Sequence, residues 1–261
     1  MRRLQERFNL KSILNYSLDS DQAGLWFLGQ SGYSLRSKTV TIVIDPYLSD
    51  SVRKIAPEFG RLYPPPLNPT DLQADIFVVT HDHLDHLDPE TIHAYRHTGQ
   101  TIFVAPRLAC KKLVALGIPL TQIVRIDSGE STVIHDVKIS GIYALPTEVE
   151  VIDTTGYLIR FTNGRSVYHT SDTDFSELLL KSAPQAEVLL VCINGKDGNM
   201  GAQAAARLTK VVAPQVAAIP NHYDMMALNS ENPKVFAYFA KQECPNIPTK
   251  ILQPLEAFIW R

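Results

Sequence analysis

Residues 74–86 read Ala74-Asp75-Ile76-Phe77-Val78-Val79-Thr80-His81-Asp82-His83-Leu84-Asp85-His86. The first seven residues form a continuous apolar run of the kind found in buried strands. The last six contain the pattern His-x-His-x-Asp-His. Imidazole nitrogens and carboxylate oxygens are the donors that zinc and other first-row divalent ions prefer. This stretch therefore predicts a metal site at the end of a buried strand, and not a solvated polar loop.

The spacing within the motif leaves room for a second ion. His81 and His83 are two residues apart and can converge on one ion from an extended segment. Asp85 and His86 then point elsewhere, toward a second ion. A loop rarely completes a metal site alone, so we expect further ligands from other strand ends.

Two other strand ends offer such ligands. Residues 167–172 run from a strand into an acidic turn at Asp172, and residues 217–222 form an apolar strand that ends in His222. A carboxylate between two cations can bridge them, which makes Asp172 a candidate bridging ligand. The alternatives are a helix N-cap for Asp172 and a hydrogen-bonded core histidine for His222.

Strand and helix patterns alternate along the rest of the chain. Strands are predicted at residues 24–29, 39–45, 74–80, 101–105, 137–144, 155–161, 166–170, 187–193 and 216–220. Helices are predicted at residues 89–99, 107–116, 175–182, 202–212 and 232–242. The mixture indicates an α/β domain, and about a dozen strands suggest two sheets. The five prolines between residues 57 and 69 predict an irregular surface loop, either a connector or the rim of a site.

Composition excludes several classes of protein. The chain has 261 residues, is 45% hydrophobic and carries a formal net charge of −2, so it lacks the positive field of a dedicated nucleic-acid binder. No apolar run is long enough to span a bilayer, and no apolar segment follows the N-terminal arginines as in a signal peptide. Three widely spaced cysteines fit neither a disulfide framework nor a thiolate site. We therefore expect a reduced, cytoplasmic protein.

Five segments carry a family resemblance. They are residues 26–33, 44–48, 80–86, 168–172 and 220–224. In this order they resemble the metallo-β-lactamase fold superfamily of metal-dependent hydrolases, and in particular its branch containing ascorbate-6-phosphate lactonase. The resemblance implies one domain over residues 1–261, folded as a four-layer αββα sandwich with the metal site where the two sheets meet. It also implies that His81 and His83 hold one ion, that Asp85, His86 and His222 hold a second, and that Asp172 lies between them.

The chain departs from the family pattern at two places. The superfamily usually has another histidine after the strand at residues 137–144, but residues 145–150 contain none. Glu148 is a possible substitute donor there, and oxygen-rich coordination would admit Mn²⁺ beside Zn²⁺. We expect one or two such ions per chain. Ser171 also stands where glycine usually precedes the acidic ligand.

Three other features have two interpretations each. His169 either orients Asp172 or a substrate, or is a packed residue at a strand end. Asp45 either fixes a ligand histidine or serves only a turn. The glycine-rich loop at residues 194–201 either binds an anionic substrate group, with Lys196 adding charge, or is an ordinary strand-to-helix turn.

Together these features predict a hydrolase. One or two ions would generate hydroxide from bound water, and Asp85 would orient that water or move its proton. The expected substrate is a small lactone or ester, phosphorylated or not, and a homo-oligomer is left open. The alternatives are a phosphodiesterase of the same fold and a non-catalytic metal- or ligand-binding protein.

Overall fold

A computed structural model describes residue 13, residues 15–146 and residues 152–261. Thirteen strands are found in these parts of the chain. They are β1 (Ala23–Gly29), β2 (Gly32–Arg36), β3 (Thr41–Ile44), β4 (Ile76–Val78), β5 (Ile102–Ala105), β6 (Ile123–Arg125), β7 (Ser131–Ile134), β8 (Val137–Tyr143), β9 (Thr155–Phe161), β10 (Ser166–His169), β11 (Val188–Cys192), β12 (Ala217–Asn221) and β13 (Ala257–Trp260).

The strands form two sheets, as predicted. One has seven strands in the order β13-β1-β2-β3-β4-β5-β6, and the other has six in the order β12-β11-β10-β9-β8-β7. Strands β3 to β6 pair in parallel, and so do β10, β11 and β12. The remaining pairs are antiparallel.

The helices account for the outer layers. They are α1 (Ser51–Ile55), α2 (Pro89–Ala94), α3 (Arg107–Ala115), α4 (Glu177–Ser182), α5 (Ala202–Val212) and α6 (Pro233–Glu243). Short 3₁₀ turns occur at Pro57–Phe59, Pro69–Asp71, Thr98–Gln100 and Leu120–Gln122. The helix predicted at residues 89–99 is shorter in the structure, where α2 ends at Ala94.

Packing of the apolar side chains gives the four layers. The main core joins the inner faces of both sheets, for example Leu25 and Ile42 of one sheet with Ile139 of the other, and it extends to α5 and α6. A second cluster places Ile92 of α2 and Leu113 of α3 against the outer face of the seven-stranded sheet. The αββα sandwich is therefore confirmed. No helix in the described part of the chain is long and apolar enough to cross a membrane.

Candidate metal centre

The candidate ligands lie where parallel strands of both sheets end. Residues 81–86 follow β4, Asp172 follows β10 and His222 directly follows β12. Ligand sites of open α/β sheets commonly form outside the carboxyl ends of such strands. Five of the six candidates are at most 9% exposed, namely His81, Asp85, His86, Asp172 and His222. His83 is half-buried.

Spacing between the imidazole rings suits shared coordination. The Nε2 atom of His81 lies 3.0 Å from Nδ1 of His83, and Nε2 of His86 lies 3.3 Å from Nε2 of His222. Two nitrogen ligands at about 2.0–2.1 Å from one tetrahedral zinc ion are roughly 3.3–3.4 Å apart. Both pairs are near this spacing, so each can serve a single ion.

The candidate ligands form two groups of three donor atoms. Within each group, all three atoms lie within 4.8 Å of one another. One group is His81, His86 and Asp172, and the other is Asp85, His86 and His222. The second group reproduces the ligand set expected for the second ion. The first differs from the expected set, because His86 and Asp172 accompany His81 where the resemblance implied His83. His86 belongs to both groups.

Asp172, a member of the first group, also lies beside His222 of the second. Its Oδ1 atom is 2.8 Å from Nε2 of His222 and 3.4 Å from Nε2 of His86, and its Oδ2 accepts a hydrogen bond of 2.6 Å from Asn199. Oδ1 is buried and its two short contacts are not aligned as hydrogen bonds. A buried carboxylate oxygen that shares space with two ring nitrogens fits a bound cation. The donor set and its spacing therefore suit a divalent ion.

The electrostatics of the site keep the carboxylate of Asp172 charged. Burial raises its pKa, but attraction from His222 and His86 outweighs burial and leaves the pKa well below its usual value. The helix-cap alternative for Asp172 is wrong, because the N-cap of α4 is Ser176. The Ser176 hydroxyl accepts a hydrogen bond of 3.1 Å from the Leu179 N–H.

Asp45, the residue after β3, holds His86 from behind. Its Oδ2 lies 2.8 Å from Nδ1 of His86 and accepts a 2.6 Å hydrogen bond from the Thr80 hydroxyl. Its Oδ1 accepts from the Thr80 N–H at 2.8 Å. An imidazole that donates through Nδ1 presents Nε2 as a metal ligand. Asp45 also occupies a turn, with a φ of 41°, so both interpretations of this residue apply.

The two buried imidazoles of the motif have opposite pKa shifts. Burial lowers the pKa of His86, but the carboxylates of Asp172, Asp85 and Asp45 outweigh it and raise the pKa well above the usual value. Burial and the neighbouring His86 lower the pKa of His81 well below its usual value. His81 is therefore neutral at pH 7, the form that coordinates metal, whereas His86 must lose a proton before it binds an ion.

Gln30 is the main site residue that the sequence analysis missed. Its Nε2 donates a 2.9 Å hydrogen bond to Oδ2 of Asp85 and lies 3.1 Å from Nδ1 of His222. The backbone carbonyl oxygen of Gln30 accepts a 2.8 Å hydrogen bond from the backbone N–H of His222. The only sequence signal was its place after a buried strand, within residues 26–33 of the family resemblance. Gln30 thus connects two candidate ligands that are far apart in the chain.

His169 supports the turn that carries Asp172. Its ring is fully buried, Nδ1 accepts a 3.0 Å hydrogen bond from the Ser171 N–H, and Nε2 lies 3.0 Å from the Ser31 carbonyl oxygen. Both ring nitrogens are therefore engaged within the protein, which favours the orienting role over contact with a substrate. Ser171 adopts a φ of 63°, the left-handed conformation that glycine would take at no steric cost. The serine keeps the turn and leaves the carboxylate in place.

A cavity of about 190 Å³ opens onto the candidate ligands. Its lining residues are Phe59, His83, Asp85, Asp172, Asp197, Asn199 and Asn229. Phe59 belongs to the proline-containing segment, so that segment contributes to the rim of the site. Larger cavities of about 480 and 670 Å³ lie elsewhere and contain none of the candidate ligands.

The glycine-rich loop places different residues at the cavity than the sequence suggested. Asp197 and Asn199 line it, whereas Lys196 is exposed and is not among the lining residues. This placement does not support Lys196 as a contact for an anionic substrate. Glu148, the suggested substitute ligand, lies outside the described residues.

Comparison with known proteins places this geometry in a wider context. Residues 24–222 match the family described as "Beta-lactamase superfamily domain". A UPF0173 metal-dependent hydrolase of Methanosarcina mazei is 28% identical over 216 residues, which cover 80% of this chain and 87% of that protein. A protein of the same description from Methanopyrus kandleri is 26% identical over 242 residues, covering 89% and 97% of the two chains. The fold is similar to that of Igni18, a metallo hydrolase from Ignicoccus hospitalis, with a TM-score of 0.73, 20% identity and coverage of 92% and 99%.

Proposed function

The chain belongs to the beta-lactamase superfamily as a metal-dependent hydrolase, and on this basis we propose that it hydrolyses a small lactone or ester. The observation that carries the proposal is the convergence of buried imidazole and carboxylate donors beside a small cavity. The resemblance to the lactonase branch supports the choice of an acyl substrate.

We propose that His81, Asp85, His86, Asp172 and His222 hold one or two divalent ions, Zn²⁺ or Mn²⁺, with His83 as a further ligand. When bound, such an ion would act as a Lewis acid and lower the pKa of a coordinated water toward neutrality. The mixture of nitrogen and oxygen donors suits either metal.

The role proposed for Asp85 follows from its surroundings. This carboxylate lines the cavity, and its Oδ2 is fixed by the Gln30 amide at 2.9 Å. One oxygen of the same group is therefore held in place while the carboxylate faces the substrate space. Asp85 is positioned to orient a water molecule and to receive its proton while the acyl carbon is attacked.

The cavity also limits the substrate. A volume of about 190 Å³ suits a small reacting group, and the described lining residues include no lysine or arginine. The imidazole of His83 is the only basic side chain among these described residues, so a phosphate on the substrate would depend on His83 or on a bound ion for its contacts.

A metal analysis combined with a substrate panel tests the function. The purified protein is stripped, reloaded with Zn²⁺ or Mn²⁺, and assayed on lactones, carboxylic esters and phosphodiesters. Metal-dependent hydrolysis of a lactone or ester is expected, with loss of activity in His222→Ala. Turnover of phosphodiesters alone would instead establish the phosphodiesterase alternative, and bound metal with no turnover would favour a binding protein.

Two further proposals concern the whole chain. We propose that residues 1–261 form one domain, which the match over residues 24–222 supports. We also propose a cytoplasmic location. It is supported by the three cysteines, which are all free in the structure. Free thiols are typical of reducing compartments.

A further inference from the structure

The loop between β11 and α5 forms one wall of the cavity. It is closed by a β-bridge between Asn194 and Gly201 and by a 2.9 Å hydrogen bond from the Asn199 N–H to the Lys196 carbonyl oxygen. Asp197 has a φ of 50°, and its side chain lines the cavity together with that of Asn199. The loop therefore presents two polar side chains to the substrate.

Asn199 has a hydrogen-bond acceptor without a partner. The residue is 8% exposed, and its Nδ2 donates to Asp172 at 2.6 Å, which fixes the orientation of the amide. Its Oδ1 is buried and has no hydrogen-bond partner in the protein. A buried acceptor without a donor is unfavourable, so this oxygen is suited to a donor group on a ligand.

Three carboxylates line the cavity, those of Asp85, Asp172 and Asp197. Asp85 and Asp172 are candidate metal ligands, and a bound cation would offset their charge. Asp197 is not part of either ligand group; it is exposed to solvent and lines the cavity. Lys196, the basic residue next to it, is exposed and does not line the cavity. A carboxylate at the cavity that neither ligand group uses can attract a positively charged group on the substrate.

Phe59 adds an aromatic ring to the same cavity. A carboxylate, an amide oxygen and an aromatic face are together the groups that recognise an ammonium ion, through a salt bridge, a hydrogen bond and a cation–π contact. Asn229 lines the cavity as well, and its Oδ1 is already engaged by the amide of Asn194.

We propose that Asp197, Asn199 and Phe59 form a subsite for a positively charged amino group on the substrate. This proposal rests on the proposed function only in placing the amine beside the hydrolysed bond. Binding of an amine at the subsite does not itself require turnover.

Binding tests the subsite without catalysis. The metal-loaded protein is titrated calorimetrically with propylammonium, propionate and inorganic phosphate. Propylammonium should bind, and Asp197→Asn should weaken it about ten-fold or more, the usual effect of removing a charged hydrogen-bond partner. The matched control Lys196→Ala changes the neighbouring loop residue and should leave the affinity unchanged. Tighter binding of propionate or phosphate than of propylammonium, or equal affinity in Asp197→Asn and the unmodified protein, would overturn the subsite.

A matched pair of esters then connects the subsite to the reaction. β-Alanine ethyl ester carries an ammonium group where ethyl butanoate has a methyl group. Asp197→Asn should raise KM about ten-fold for the amino ester and leave both its kcat and the KM for ethyl butanoate unchanged, because a contact remote from the reacting bond contributes uniform binding. An equal rise in KM for both esters would contradict the proposal. If neither ester is hydrolysed by the unmodified protein, ester hydrolysis is refuted, while the titration still decides the subsite.

Discussion

Replacing Asp45 by Asn separates its hydrogen bonding from its role in the turn. Asparagine tolerates the left-handed backbone that Asp45 adopts at a φ of 41°, so the turn is retained. The amide oxygen of the asparagine can still accept a hydrogen bond from the Thr80 N–H. The amide nitrogen, however, replaces Oδ2 and faces the Thr80 hydroxyl and Nδ1 of His86, from which Oδ2 lies 2.6 and 2.8 Å away.

The expected effect is on metal affinity. With a donor opposite Nδ1, His86 must present Nδ1 as an acceptor and carry its proton on Nε2, the atom that faces His222 and Asp172. That tautomer cannot coordinate an ion through Nε2. Losing the partner that orients a ligand histidine typically reduces metal affinity about 10- to 100-fold. This corresponds to about 1.4–2.7 kcal/mol.

The assay is competition between the stripped protein and a chelator for Zn²⁺ or Co²⁺. Asp88→Asn is the matched control, because Asp88 is also a buried aspartate but caps α2, where its side chain accepts a hydrogen bond from the Glu90 N–H. Asparagine is an equally good N-cap, so this variant should bind metal normally. Near-ultraviolet circular dichroism verifies the fold of both variants. A folded Asp45→Asn protein with affinity within two-fold of the unmodified chain would show that Asp45 serves the turn alone.

Three further predictions concern the same cluster. His86→Ala should remove more metal than His81→Ala, because His86 belongs to both donor groups; equal losses in elemental analysis would contradict this. Gln30→Ala should weaken metal binding about 10-fold or more in the chelator assay, and unchanged affinity would exclude a positioning role. The pKa of His86 is higher in the folded protein than in the unfolded chain, where it is about 6.5. Protonated His86 therefore stabilises the metal-free protein fully at pH values below about 6.5, and this contribution is lost as the pH rises through the pKa of the folded state. Melting temperatures of stripped protein should therefore fall above neutral pH, and the fall should vanish in His86→Ala.

Much of the candidate site could be predicted from the sequence because its residues follow strongly apolar strands. β4 (Ile76–Val78) and β12 (Ala217–Asn221), the strand before His222, are buried along their whole length, which produces continuous hydrophobic stretches. Polar residues directly after such stretches must lie at a sheet edge. The prediction of two sheets and of α3, α5 and α6 succeeded for the same reason, since their apolar periodicity is regular.

Short strands, and contacts between residues far apart in the sequence, could not be predicted in this way. β6 and β7 have three and four residues with mostly half-exposed side chains, so they lack a buried pattern. β13 pairs with β1 from the other end of the chain, a contact that no local pattern specifies. Gln30 depends on the same kind of contact, because its partners Asp85 and His222 lie 55 and 192 residues away.

The loop at residues 194–201 shows that a local pattern does not determine which ligand a loop can bind. Its glycines and Lys196 resemble an anion site, and the sequence does not determine which side chains face inward. Gly195, Asp197 and Gly198 all have positive φ angles, so the loop is tightly turned. Asn199, which is buried, and Asp197, which is exposed, line the cavity, whereas the exposed Lys196 does not. The side chains that a glycine-rich loop presents therefore depend on its backbone conformation, and here they include the carboxylate and the amide on which the proposed ammonium subsite rests.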